Sequence, residues 1–311
     1  MNKSKKPHAA VAFVQSILSP SPSEVDLTTA KGFVQDMLQR IKNTELTALG
    51  AQLAYFFLLS FFPLLIFMVS LLPYLNLEQG AVFDFMDDIM PAEIFSLIEG
   101  ILSEVLTNQS GGLLSIGILG TIWSASRGID ALTRALNKAY DTEARPGWKN
   151  KAWSILFTIS FVIVILLSLV LPVFGQQITN LILGYLSIDF QIPGIWNFIR
   201  FATPPTLVFL VICVMYWIVP NTDPRIKLIS VLPGALIAAT GFFALTFGFS
   251  FYINNFGNYS ATYGSIGGVI VLMLWLYFIG MILIFGGIIN AVFAQCKLAK
   301  VRKKTRKTPT F

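Results

Sequence analysis

Long apolar runs alternate along the chain with short segments rich in charge, Gly or Pro, and the run lengths set the first expectation. A helix needs about 20 apolar residues to cross the hydrocarbon core. Six stretches approach or exceed that, at about 48–75, 112–126, 152–175, 201–220, 229–252 and 266–294. The second is short alone and needs its flanks. Between the first two, apolar positions recur at helical spacing: Val82, Phe83, Met86, Ile89 and Met90, then Ile94, Phe95, Ile98, Ile101, Leu102 and Val105. Pro91 separates the two sets, so 79–108 reads as two amphipathic helices that lie on the outer face or cap the bundle. Residues 31–46 predict another interfacial helix, with Phe33, Met37, Leu38 and Ile41 on its apolar side. The expected fold is all-α: a polytopic membrane protein with six transmembrane helices plus amphipathic interfacial helices. It divides into an N-terminal segment (1–47), a six-span domain (48–296) and a basic tail (297–311).

Composition agrees. Only 12% of residues are charged and 55% are hydrophobic, against about 25% charged in soluble domains. The charges also orient the spans, because Lys and Arg stay on the cytoplasmic side. Of the 22 Lys and Arg residues, all but Arg200 fall on one side of the six-span arrangement. Both termini are therefore expected in the cytoplasm. The outer connection is acidic, with Glu78, Asp84, Asp87, Asp88, Glu93, Glu99 and Glu104 and no Lys or Arg. The start "MNKSKKPHAAVAFVQSIL" is basic, but its apolar patch is short and broken by Gln15, so it reads as a cytoplasmic tail rather than a signal peptide. Cys213 and Cys296 fall in different spans, and neither a disulfide nor a metal site is expected.

No charge falls inside the six span cores, and the sole histidine is His8. Proton relays are built from intramembrane Asp, Glu or His, so ion-motive chemistry is disfavoured. Pro63, Pro204 and Pro233 are candidate helix kinks that could line a cavity; the plainer reading is that membrane helices tolerate Pro. Gly264, Gly267, Gly268, Gly280, Gly286 and Gly287 in and before the last span favour close helix packing, with a hinge as the sharper alternative.

One stretch departs from the pattern. "GTIWSASRGIDALTRALNKAYD" (120–141) runs from apolar directly into charge with no loop. Beyond Ser126, Ile129, Leu132, Leu136 and Tyr140 keep helical spacing. A continuous helix that leaves the hydrocarbon and lies near the inner interface is expected. Arg127 and Asp130, three apart, can neighbour each other on one face. Arg127 is then either a topology anchor with a local salt bridge or, with Arg134, part of a site for an anionic headgroup, since Arg suits bidentate phosphate contact.

The stretches "ALGAQLAYFFLLSFFPLLIF", "GLLSIGILGTIWSASRGIDALTRALNKAYD", "VPNTDPRIK" with "PGALIAA", and "YGSIGGVIVLMLWLYFIGMILIFGGIINA" resemble the YihY / virulence-factor-BrkB family of bacterial inner-membrane proteins. They cover most of residues 45–295. The resemblance implies a multi-pass protein of the bacterial plasma membrane, involved in moving lipids or amphiphiles. The positions that match the family pattern are Tyr55, Pro63, Arg127, Asp130, Pro220, Asn221, Pro233, Tyr263, Gly264 and Asn290. One departs from it: Ile288 stands where the family's last span usually has an acid, two residues before the retained Asn290. Arg127, Asp130, Arg134 and Asn290 are the candidate headgroup or cavity residues.

Family members have carried the label ribonuclease BN. Metal-dependent RNA hydrolysis needs clustered His and Asp ligands, so with one histidine the residues argue against it and no cofactor is expected. The basic tail "KLAKVRKKTRKTPTF" directly follows a span, so its expected partner is anionic lipid of the inner leaflet rather than nucleic acid. Movement of a lipid or other amphiphile is the leading reading. A scaffold that holds envelope protein partners and a small-solute transporter are the alternatives.

Overall fold

The computed structural model describes residues 26–75, 111–143, 147–149, 151–160, 195–223, 225–256 and 266–307, with positions 95, 99, 162 and 163. Among them there is no strand. The labelled elements are α1 (Ala30–Thr44), α2 (Leu46–Leu75), α3 (Gly111–Ala139), α4 (Ile195–Ile218), a 3-10 turn (Leu228–Ser230), α5 (Leu232–Phe256) and α6 (Gly267–Lys307). Residues 151–160 are also helical. Three stretches of described residues are long and apolar enough to cross a membrane: Leu46–Phe67, Leu232–Ile253 and Gly267–Lys300; Pro205–Ile218 is a shorter apolar helix. Apart from helical positions 95 and 99, the region of the two outer amphipathic helices lies outside the described residues. So do the third span beyond 163, Tyr263 and Gly264.

Helix α1 starts where the Thr29 hydroxyl accepts the Gly32 N–H at 3.1 Å. It ends at Glu45, whose left-handed backbone (φ 53°) turns the chain directly into α2. The expected apolar side is present, but it does not lie free at an interface. Phe33, Met37 and Ile41 pack on the protein core, because Arg40 ties α1 to the end of α3. The Arg40 guanidinium is buried, pairs with Asp36 at 3.1 Å and Asp141 at 2.9 Å, and donates to the Ala139 carbonyl. That carbonyl closes α3, where the last C=O groups have no partner within the helix.

Helix α3 is one helix of 29 residues, as the spacing implied, and its second half packs within the bundle. Ala131, Leu132, Ala135, Leu136 and Ala139 are all buried in the main core with residues of α4, α5 and α6. The three alanines let neighbouring helices close in around this face, and the two leucines fill the space between them.

Glycines set the close crossings, as small residues at helix interfaces do. On α3, a Cβ at Gly117 would meet the Phe67 backbone nitrogen at 2.9 Å, one at Gly120 the Pro63 Cβ at 3.1 Å, and one at Gly128 the Phe57 ring at 3.3 Å. On α6, Gly280 sits against Gly50 and Leu53, and Gly287 against Leu136. Gly286 faces Gly234 and the Tyr216 hydroxyl, and that hydroxyl donates to the Leu283 carbonyl. These contacts put Leu136, Tyr216, Gly234 and Gly286–Asn290 at one level, the base of the bundle. Both cysteines are buried and free.

Candidate functional site

The outward face of α3 changes character along its length. Ile116, Leu119 and Trp123 are exposed, then Arg127 and Arg134 on the same side. At 3.6 residues per turn, positions 116, 119, 123, 127 and 134 fall within one stripe. The upper part is apolar, Trp123 stands at the junction, and the lower part is cationic. Arg127 folds back toward the helix N-terminus, with its guanidinium 5.9 Å from the centre of the Trp123 ring. That is cation–π geometry, worth about 0.5–1 kcal/mol at an exposed site.

Asp130 belongs to a cross-helix cluster. Lys151, at the start of the 151–160 helix, pairs with Asp130 at 3.7 Å and donates to the Ser126 hydroxyl at 2.7 Å. Ser154, one turn along, donates to Asp130. The carboxylate is largely buried, with 14% of its side chain exposed, and these partners offset its desolvation. Sequence reasoning looked for the Asp130 partner on the same helix and missed Lys151, Ser126 and Ser154. A lone acid in an apolar stretch facing the lysine that opens the next one was the available signal.

Asn290 lies elsewhere. It is fully buried on α6, and its Oδ1 accepts the Gly234 N–H at 2.7 Å. Gly234 is in the first turn of α5, whose N–H groups lack partners within the helix, so Asn290 caps α5 from a neighbouring helix. Its Nδ2 has no protein partner among the described residues. Ile288, in place of the expected acid, is fully buried in the apolar core. Asn290 therefore does not join Arg127, Asp130 and Arg134 in one site.

The three candidate kink prolines also differ in role. Pro233 is the second residue of α5, where a missing N–H costs no helix bond; it starts a helix rather than bending one. Pro63 sits within α2 against Gly120, and Pro204 falls within the continuous helix α4. Matched Asn221 and its neighbour Pro220 close the base. The Asn221 N–H donates to Asn137 Oδ1 at 2.8 Å, and its side chain donates to the Glu143 carbonyl at 3.0 Å. Nearby, burial pushes the Tyr140 phenol above its usual range, partly offset by the Arg40 cation.

Comparison with known proteins shows the family. A family model described as Virulence factor BrkB matches residues 37–310. The chain is 42% identical over 266 residues to the "Putative ribonuclease-like protein YfkH" of Bacillus subtilis (strain 168), covering 85% of this chain and 96% of that one. It is 28% identical over 281 residues to a "UPF0761 membrane protein" of Tolumonas auensis, covering 84% of each. A "UPF0761 membrane protein" of Actinobacillus pleuropneumoniae is 26% identical over 193 residues, or 60% of this chain and 67% of that one. No solved structure matches.

Proposed function

The chain belongs to the virulence factor BrkB family of membrane proteins, and from that premise we propose that it moves a lipid or other anionic amphiphile within or across the bacterial plasma membrane. The observation that carries this reading is the outward stripe of α3. Acyl chains match Ile116, Leu119 and Trp123, and a phosphate headgroup matches Arg127 and Arg134. The two halves of one amphiphile would meet the two halves of one helix face. The segregation of Lys and Arg supports six spans with both termini in the cytoplasm, which puts the arginines toward the inner leaflet. A scaffold needs no such graded face.

The reading is not enzymatic. The relative named ribonuclease-like is 42% identical, but this chain has one histidine, His8. The test is transbilayer exchange of fluorescent phospholipid in liposomes that contain the purified protein, with an unrelated six-span protein as control. Exchange well above the control is the expected result. Exchange at the control rate across several lipid classes would transfer the assignment to a scaffold.

A further inference from the structure

The axial register of the bundle says how deep the arginines lie. At the base, Leu136 meets Gly287, Gly234 meets Gly286 and Asn290, and Asn137 binds Asn221. Around α4, α5 and α6, apolar side chains are exposed at or near this level: Ile229 is 74% exposed, Leu236 60%, Phe293 49% and Trp217 40%. Phe293 packs edge-on against Phe33 of α1, but the exposed Ile229, Leu236 and Trp217 suit contact with hydrocarbon, which on that side would extend down to the base. Arg127 lies nine residues before Leu136 on the same helix, about 14 Å higher at 1.5 Å per residue.

Snorkelling does not resolve this. A buried arginine normally reaches toward the nearer headgroups, and here they would lie below. Arg127 instead turns back over Trp123, one turn deeper. The facing wall is polar at the same height: Lys151, Asp130, Ser126 and Ser154 form one bonded cluster there. An exposed guanidinium and a half-exposed lysine at that depth require water or anions around them, because hydrocarbon does not solvate charge.

We propose that the bilayer is notched along α3 and the start of the 151–160 helix. Water and the phosphate group of an inner-leaflet lipid rise there to the level of Arg127, while hydrocarbon reaches the base on the α4–α6 side. The occupant is a lipid because the apolar face of Ile116, Leu119 and Trp123 continues directly above the arginine. This deepens the proposed function by naming the path, and it rests on that reading for the lipid but not for the depth.

The test is spin-label accessibility in the full chain, with Cys213 and Cys296 replaced by Ala, in vesicles of phosphatidylcholine with or without phosphatidylglycerol. Single cysteines replace Arg127, Lys151 and Leu236. Labels at 127 and 151 are expected to relax with a water-soluble nickel chelate more than with oxygen, and the label at 236 the reverse. Phosphatidylglycerol should shield position 151, and inorganic phosphate added to phosphatidylcholine vesicles should not. Oxygen-dominated relaxation at 127 and 151 would overturn the notch, and position 151 alone decides it if the Arg127→Cys chain does not fold. Shielding by inorganic phosphate as strong as by the lipid would overturn the lipid as occupant. A notch without lipid exchange would sink the proposed function and leave the notch standing; exchange without a notch would do the opposite.

Discussion

Replacing Gly234 with Ala puts the register of the base under direct test. A Cβ there would overlap the Gly286 carbonyl oxygen and come within 2.5 Å of Asn290 Cγ and 2.6 Å of its Nδ2. The clash is with backbone and with a buried amide, so no side chain can rotate away. Helix α5 must move from α6 by roughly 1 Å, an overpacking cost of about 1–3 kcal/mol. The same movement stretches the 2.7 Å bond from Gly234 N–H to Asn290. Its loss would leave both ends of a buried carboxamide unmatched, another ~1–3 kcal/mol. The two effects share one displacement and do not add fully, which gives about 2–5 kcal/mol in all. Gly248→Ala is the control. Nothing lies within 4 Å of a Cβ there, and helix propensity favours Ala by up to about 1 kcal/mol. The assay is heating in detergent followed by size-exclusion chromatography, scoring the fraction that stays monodisperse. Gly234→Ala should lower the midpoint by roughly 5–15 °C and Gly248→Ala should not lower it. If Gly234→Ala melts with the wild type, α5 and α6 do not cross as described.

Leu136→Ala removes a fully buried side chain that fills the space beside Gly287; a loss of about 2–5 kcal/mol is expected in the same assay, and an unchanged midpoint would contradict the packing of the second half of α3. Arg40→Met keeps the apolar stem but orphans the Ala139 carbonyl and the Asp36 carboxylate, at about 1–3 kcal/mol. Amide exchange should then speed up in α1 and at the end of α3, and protection equal to wild type would contradict the tie. Asp26 is held below its ordinary 3.8 chiefly by the Thr28 hydroxyl and N–H, with Lys303 helping. A depressed carboxylate adds stability above its unfolded pKa and loses it as pH falls through the folded value. Protection at the start of α1 should therefore fall below about pH 4, more in wild type than in Asp26→Asn; equal profiles would refute this.

The helices were legible because their signals are local. Apolar length gave α2, α5 and α6, and the spacing of Ile129, Leu132 and Leu136 gave the uninterrupted α3. What stayed hidden was set between helices. No pattern on 31–46 says whether Phe33 and Met37 face lipid or protein, since both are apolar partners; the deciding residue is Arg40, which counts in sequence only as one more positive charge. Arg127 was legible as the charge that directly follows an apolar run. The helices around it were not: Gly117, Gly120 and Gly128 set α3 against α2, and Gly287 sets it against α6. Asn290 was flagged as a polar residue in an apolar span, but its target, the Gly234 N–H, lies 56 residues away.

The central claim is that the arginines of α3 engage the phosphate of a moving amphiphile, and an arginine series in the exchange assay tests it most directly. Arg127→Lys, Arg127→Gln and the Arg127→Gln/Arg134→Gln pair would be compared with wild type in vesicles containing phosphatidylglycerol. The account predicts a graded fall, with lysine retaining part of the rate as a point charge without the bidentate fork and the double variant approaching protein-free vesicles. Wild-type exchange in the double variant, with the fold intact by size exclusion, would contradict it.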